Sequence, residues 1–184
     1  IIPTFYLGNL SQLTISNNEV EKTIDLLCIL SGPEPQRSIL EEMICSIFQK
    51  DKSKKCVLIQ GKKTSNNSVT TIENIEKIPF ANSNEIENYF QKSKIIICRS
   101  GYSTIMDLIK LRKNAILIPT PGQREQEYLG AYLEERKYFL TATQQKVEIE
   151  NGILRYENVE FKTFPTQNME QYKIGIDELL KKIS

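Results

Sequence analysis

The sequence predicts an α/β fold, a doubly wound parallel sheet with a small β-hairpin and a C-terminal closing helix. Three observations predict it. Short apolar runs of strand length recur without polar alternation, which marks strands buried on both faces. Gly, Pro or Ser punctuation follows each run. Stretches with helical spacing then separate one run from the next, a rhythm that favours parallel strands joined by crossovers.

Asp25–Leu30 (DLLCIL) is the first buried run, closed by Ser31-Gly32-Pro33. Pro35 stands where a helix can begin, and Ile39, Met43, Ile44 and Ile47 follow at helical spacing. Cys56–Gln60 (CVLIQ) is the next strand, ended by Gly61, and Asn66–Thr71 is polar turn material. Lys77–Phe80 (KIPF) is a short strand whose Pro79 marks an edge or an end. Asn82–Gln91 is a helix with Asn82 or Ser83 as cap and Ile86, Tyr89 and Phe90 on one face.

Lys94–Cys98 (KIIIC) is a fully apolar strand, Ser103–Leu111 a helix, and Ala115–Pro119 (AILIP) a further buried strand. Gln123–Lys137 is a charged helix with Tyr128, Leu129 and Tyr132 for packing. Asn151-Gly152, flanked by Lys146–Glu150 and Ile153–Tyr156, predicts a hairpin. Met169–Ile183 closes the chain as an amphipathic helix.

Composition removes several classes of function. At 184 residues the chain suits one well-buried domain. Lys and Arg number 24 against 23 Asp and Glu, so no broad basic excess points to nucleic acid. The local run Lys50–Lys55 contains no aromatic residue and reads as a solvated loop. The sequence has no histidine, which excludes His triads, His ligands and His general bases within it. Cys28, Cys45, Cys56 and Cys98 are not spaced as metal ligands, and a reduced setting is expected for them. The opening Ile1–Tyr6 reads as the middle of a strand or linker, which suggests a fragment of a longer protein.

Ligands of open parallel sheets lie beyond the carboxyl ends of the strands. Four loops there carry unusual residues: Ser31–Arg37, Gln60–Lys63, Arg99–Thr104 and Thr120–Gln126. The third is the most specific. A helix start leaves amides unpaired and carries about half a positive charge. Gly101 admits a ligand to the backbone, and Ser103 and Thr104 add hydroxyl donors, so the segment reads as a diphosphate cradle. Asp107, one turn on, suits the two hydroxyls of a ribose. Simple capping by Ser103 or Thr104, with Asp107 complementing the helix dipole, is the alternative. Gly32 in its turn, and Gln60 before Gly61, face the same cleft as weaker candidates.

Cys98–Asp107 (CRSGYSTIMD), Ala115–Gln126 (AILIPTPGQREQ) and Tyr128–Ala131 (YLGA) together resemble the C-terminal domain of the MurG-like family 28 glycosyltransferases. The likeness covers about residues 24–140. It implies the Rossmann-like C-terminal half of a GT-B fold, a single nucleotide-sugar-binding domain. By that resemblance Arg99, Ser100, Gly101, Tyr102, Ser103 and Thr104 hold the diphosphate and Asp107 takes the ribose. Glu125 and Gln126 stand where donor-sugar contacts lie, and the backbone near Phe80 meets the base. This sequence departs from the family in its first loop, Ser-Gly-Pro-Glu-Pro-Gln-Arg, in Asp107 for Glu, and in Gly130 for Asn.

The resemblance implies transfer of a hexosyl group from a nucleotide-diphosphate sugar, a UDP-sugar, with no cofactor and no metal. No catalytic residue is expected in this chain, because the general base would lie on a missing N-terminal acceptor domain or on a partner subunit. Nucleic acid is not an expected partner. The expected location is cytoplasmic, or peripheral at the inner face of a membrane. A nucleotide-sugar 2-epimerase half and a non-catalytic binding module are the competing readings.

Overall fold

The computed structural model describes residues 10, 11, 13, 20–62, 67–164 and 171–183. The opening segment Ile1–Tyr6, Lys63 and Asn66 in the second loop, and Met169 at the expected start of the last helix lie outside those residues.

The apolar runs form the expected strands. β1 (Ile24–Ile29), β2 (Cys56–Ile59) and β5 (Ser93–Cys98) make the centre of the sheet, with Leu26, Leu27, Val57, Leu58 and Ile97 fully enclosed. Each such side chain taken from water stabilises the fold by about 1.5–3 kcal/mol. β4 (Ile75–Ile78) and β6 (Ile116–Leu117) flank the centre, and β7 (Leu140–Thr141) closes one edge. Seven strands run in the order β3-β4-β2-β1-β5-β6-β7. All pair in parallel except β3 (Thr70–Ile72), which lies antiparallel to β4.

Two strands were not legible as such. Thr70–Ile72 falls at the end of the polar stretch expected to be a turn; it is exposed throughout and held by its ladder to Ile75–Lys77. Leu140–Thr141 is too short to show a period.

Alternate residues of the central strands point to opposite faces, and each face carries its own core. Leu27, Val57, Ile96 and Leu117 pack under α2 (Ser83–Lys92), α3 (Tyr102–Lys110) and α4 (Arg124–Glu135), through Phe90, Leu108 and Leu133. Leu26, Cys28, Leu58 and Ile97 pack under α1 (Gln36–Phe48) and α5 (Lys146–Tyr156), through Leu40, Ile44 and Ile149. The sheet is therefore covered on both sides, and the strand order reverses between β1 and β5. α2 opens on a capping box in which Asn82 and Glu85 satisfy each other's backbone amides.

The hairpin expected around Asn151-Gly152 is instead the middle of α5, an 11-residue helix. Ile149, Ile153 and Tyr156 fall at helical spacing on the face that meets β6 and β7. A Cβ added at Gly152 would lie 3.5 Å from Ile116 Cγ2, at ordinary contact distance. Burial of that apolar stripe outweighs the cost of a mid-helix glycine, about 1 kcal/mol relative to Ala. α6 (Gln171–Ile183) follows as the expected final helix. Among the described residues no helix is long and apolar enough to cross a membrane.

Candidate functional site

The loops that leave β1 and β5 stand side by side where the strand order reverses, the usual ligand position in such sheets. α3 begins there on Gly101, whose backbone (φ −77°, ψ 140°) is ordinary extended chain. No side chain caps this helix, and its first internal bond runs from the Ile105 amide to the Gly101 carbonyl at 3.0 Å. The amides of the first turn are thus left over. A Cβ added at Gly101 would meet nothing within 4 Å, so the approach is open. Tyr102 and Ser103 are exposed and Thr104 is half-buried.

A cavity of about 440 Å³ opens beside this helix start, lined among others by Ser11, Ser83, Ile86, Tyr102, Ser103 and Asp107. The spacing of four residues puts Ser103 and Asp107 on one face of α3, as the sequence requires. Asp107 Oδ1 accepts a bond from Ser11 Oγ at 2.6 Å. Burial pushes the Asp107 carboxyl above its ordinary range, and the Ser11 bond works against that rise. Nothing in the sequence signals the Ser11 contact, because the two residues lie 96 positions apart.

Arg99 and Ser100 do not turn their side chains toward this opening. Arg99 is 1 % exposed, and its guanidinium donates to Ile118 O at 3.2 Å, Gln144 Oε1 at 2.7 Å and Gln36 O at 2.9 Å. It bridges the exits of β5 and β6 to the start of α1. Ser100 is fully buried and donates from Oγ to the Gln126 carbonyl at 2.8 Å. Both residues are buried just past the end of β5, and their side-chain bonds go to neighbouring loops.

Gln60 is also committed elsewhere. Its Nε2 donates to Glu41 Oε1 at 2.8 Å, and Lys77 Nζ binds the same buried oxygen at 2.9 Å. Gln126 folds back onto its own loop: Oε1 accepts from the Thr120 amide at 2.9 Å, and Nε2 donates to Gln123 Oε1 at 2.5 Å. Glu125 stands exposed on the first turn of α4. Phe80 does not line the cavity, although the helix that follows it contributes Ser83 and Ile86, and its carbonyl accepts from Asn67 Nδ2 at 3.2 Å.

Gly32 has φ +94° and lies against Thr120, so that a Cβ there would sit 3.4 Å from Oγ1. Thr120 Oγ1 and Arg99 Nε are buried polar atoms without a partner among the described residues. The first loop also holds Glu34, whose role nothing in the local sequence signals. Glu34 Oε2 accepts the Ser38 amide at 3.2 Å, and Oε1 binds Arg37 at 2.5 Å. A carboxylate of this chain therefore sits at the start of α1, and the Arg37 bond holds Glu34 down at about 2.

Comparison with known proteins follows the same lines. The model of the glycosyltransferase family 28 C-terminal domain matches residues 26–178. A curated relative from Wolbachia sp. subsp. Drosophila simulans (strain wRi) is 27% identical over 140 residues, covering 72% of this chain and 41% of its own length. It is the UDP-N-acetylglucosamine--N-acetylmuramyl-(pentapeptide) pyrophosphoryl-undecaprenol N-acetylglucosamine transferase. The chain thus spans less than half the length of that relative. Among solved structures, the kitacinnamycin glycotransferase superposes with a TM-score of 0.59 at 8% identity, over 97% of this chain and 45% of its own. ALG13 superposes with a TM-score of 0.56 at 13% identity, over 87% of this chain and 96% of its own.

Proposed function

This chain belongs to the glycosyltransferase family 28 C-terminal domains, and on that footing we propose that it binds the nucleotide-diphosphate sugar of a hexosyl transfer. The observation that carries the reading is the bare start of α3 at the strand reversal, open above Gly101. Free amides and about half a positive charge there suit a pyrophosphate. The same electrostatics stabilise the nucleotide diphosphate as it leaves, which is the charge that grows in the transition state.

Ser103 adds a hydroxyl donor at the mouth, and Asp107, one turn along the same face of α3, accepts from the ribose hydroxyls. The amides carry the diphosphate contact, with the Arg99 and Ser100 side chains acting beneath them as supports of the loop. The curated relative is named for a UDP-sugar donor, and UDP is accordingly the proposed nucleotide. The acceptor half and the general base belong to a domain or subunit outside this chain, since the relative is more than twice the length matched.

Titration with UDP, followed by backbone amide NMR, tests this. The amides of Tyr102, Ser103 and Thr104 should shift together and saturably. Absence of any shift at millimolar UDP, in a folded sample, contradicts the reading.

A further inference from the structure

A second cavity, of about 250 Å³, lies at the opposite end of the sheet, where the strands begin. Its walls come from the α3–β6 connection, the entry to β7 and the 161–164 segment. Tyr138 and Phe164 form an aromatic pair in it, with ring centroids 4.6 Å apart. Among the described residues its charged groups are all cations: Arg112, Lys113 and Lys162 line it, with no acidic residue beside them.

Lys22, just before β1, lies outside this lining but beside Lys113. Its Nζ donates to the Ser93 carbonyl at 2.8 Å, and its side chain meets that of Lys113. Among the described residues none of these four cations forms an ion pair. Two ammoniums brought together without a carboxylate repel, and partial burial with the Lys113 charge pulls Lys22 down to about 8.

Arg112 is held there at a backbone cost. It sits at φ 53°, in the left-handed region, with the Lys113 amide reaching back to Leu108 O at 2.9 Å to close the helix. Glycine is the usual residue at this closing position. An arginine kept there places a guanidinium at a cavity that Lys113 and Lys162 also line.

We propose that this cavity binds a phosphate-bearing anion, with Lys22, Arg112, Lys113 and Lys162 around the phosphate and the Tyr138–Phe164 pair against the organic group that carries it. At least two negative charges are needed to offset the two facing ammoniums, which favours phosphate over a lone carboxylate. The site is separate from the start of α3, and does not depend on what binds there.

The test uses the protein with inorganic phosphate, pyrophosphate, and phosphatidylcholine vesicles with or without phosphatidic acid. Backbone amides of Lys113, Asn114 and Phe164 are followed by NMR, and vesicle capture by sedimentation. Shifts at Tyr102–Thr104 report on the other end of the sheet and are not counted. Phosphate or pyrophosphate should move the three amides, with affinity lowered roughly tenfold in Lys113→Gln and in Lys22→Gln but not in Lys181→Gln, as expected for one charge-assisted bond removed. Capture that depends on phosphatidic acid assigns the phosphate to a lipid headgroup; amide shifts with free phosphate alone assign it to a soluble ligand. No shift with either salt together with no capture overturns the proposal, as does a response that survives both Gln variants.

Discussion

Arg99 Nη2 donates to the Gln36 carbonyl at 2.9 Å, and this bond ties the exit of β5 to the first turn of α1. With its bonds to Ile118 O and Gln144, the guanidinium joins three loops that meet at the strand reversal. Burial lowers its pKa from the ordinary value, yet every partner is a neutral acceptor, so the charge rests on hydrogen bonds alone.

Replacing Arg99 by Ala should therefore cost stability, on the order of 3 kcal/mol, because buried carbonyls lose their donors. Chemical denaturation measures it. UDP affinity per folded molecule should change little. A stable variant with lost affinity would make Arg99 a direct phosphate ligand after all.

Asp107→Asn separates ligand binding from stability. Burial raises the carboxyl's folded pKa above its unfolded value of 3.8, so ionising it costs the fold free energy as pH rises through that range. The Asn variant escapes this cost and can still accept from Ser11. At neutral pH it should be as stable as the parent or more so, while UDP binds roughly tenfold more weakly. Lost stability with unchanged affinity would reduce Asp107 to a partner of Ser11.

Glu34 has the opposite sign. Its folded pKa is depressed from 4.5 to about 2 by Arg37, so its contribution is present above the unfolded value and fades as pH falls toward about 2. Glu34→Gln should be less stable than the parent at neutral pH. The gap should close in acid, as read from melting curves across that range.

Gly152→Ala should raise stability by about 0.5–1 kcal/mol, the helix-propensity difference between the two residues. The added methyl would sit 3.5 Å from Ile116, an ordinary contact. A destabilised variant would mean that Ile116 cannot yield the space.

Much of this was legible in the sequence, and the exceptions have physical reasons. Apolar runs such as Lys94–Cys98 need burial on both faces, so the central strands announce themselves. Asn151-Gly152 misled because its dipeptide chemistry is that of a turn, whereas the stripe Ile149, Ile153 and Tyr156 extends over a longer window and wins through packing. At the site, Gly101, Ser103 and Asp107 could be placed because one helix start fixes all three. Arg99, Ser100 and Gln60 could not, since their partners Gln144, Gln126 and Glu41 come from other elements. A polar residue at a strand exit shows its type in the sequence but not the direction it faces.

UDP binding to the parent protein and to Gly101→Ala, compared by calorimetry, reads directly whether the diphosphate sits on the α3 amides. The residue's backbone angles suit alanine, and its Cβ would project into empty space, so the fold should be unaffected. A diphosphate seated on the α3 amides would meet that methyl. UDP affinity should be at least roughly tenfold lower in the variant at equal stability, the loss expected when a charge-assisted bond is spoiled. Equal affinity in the two proteins would place the nucleotide elsewhere.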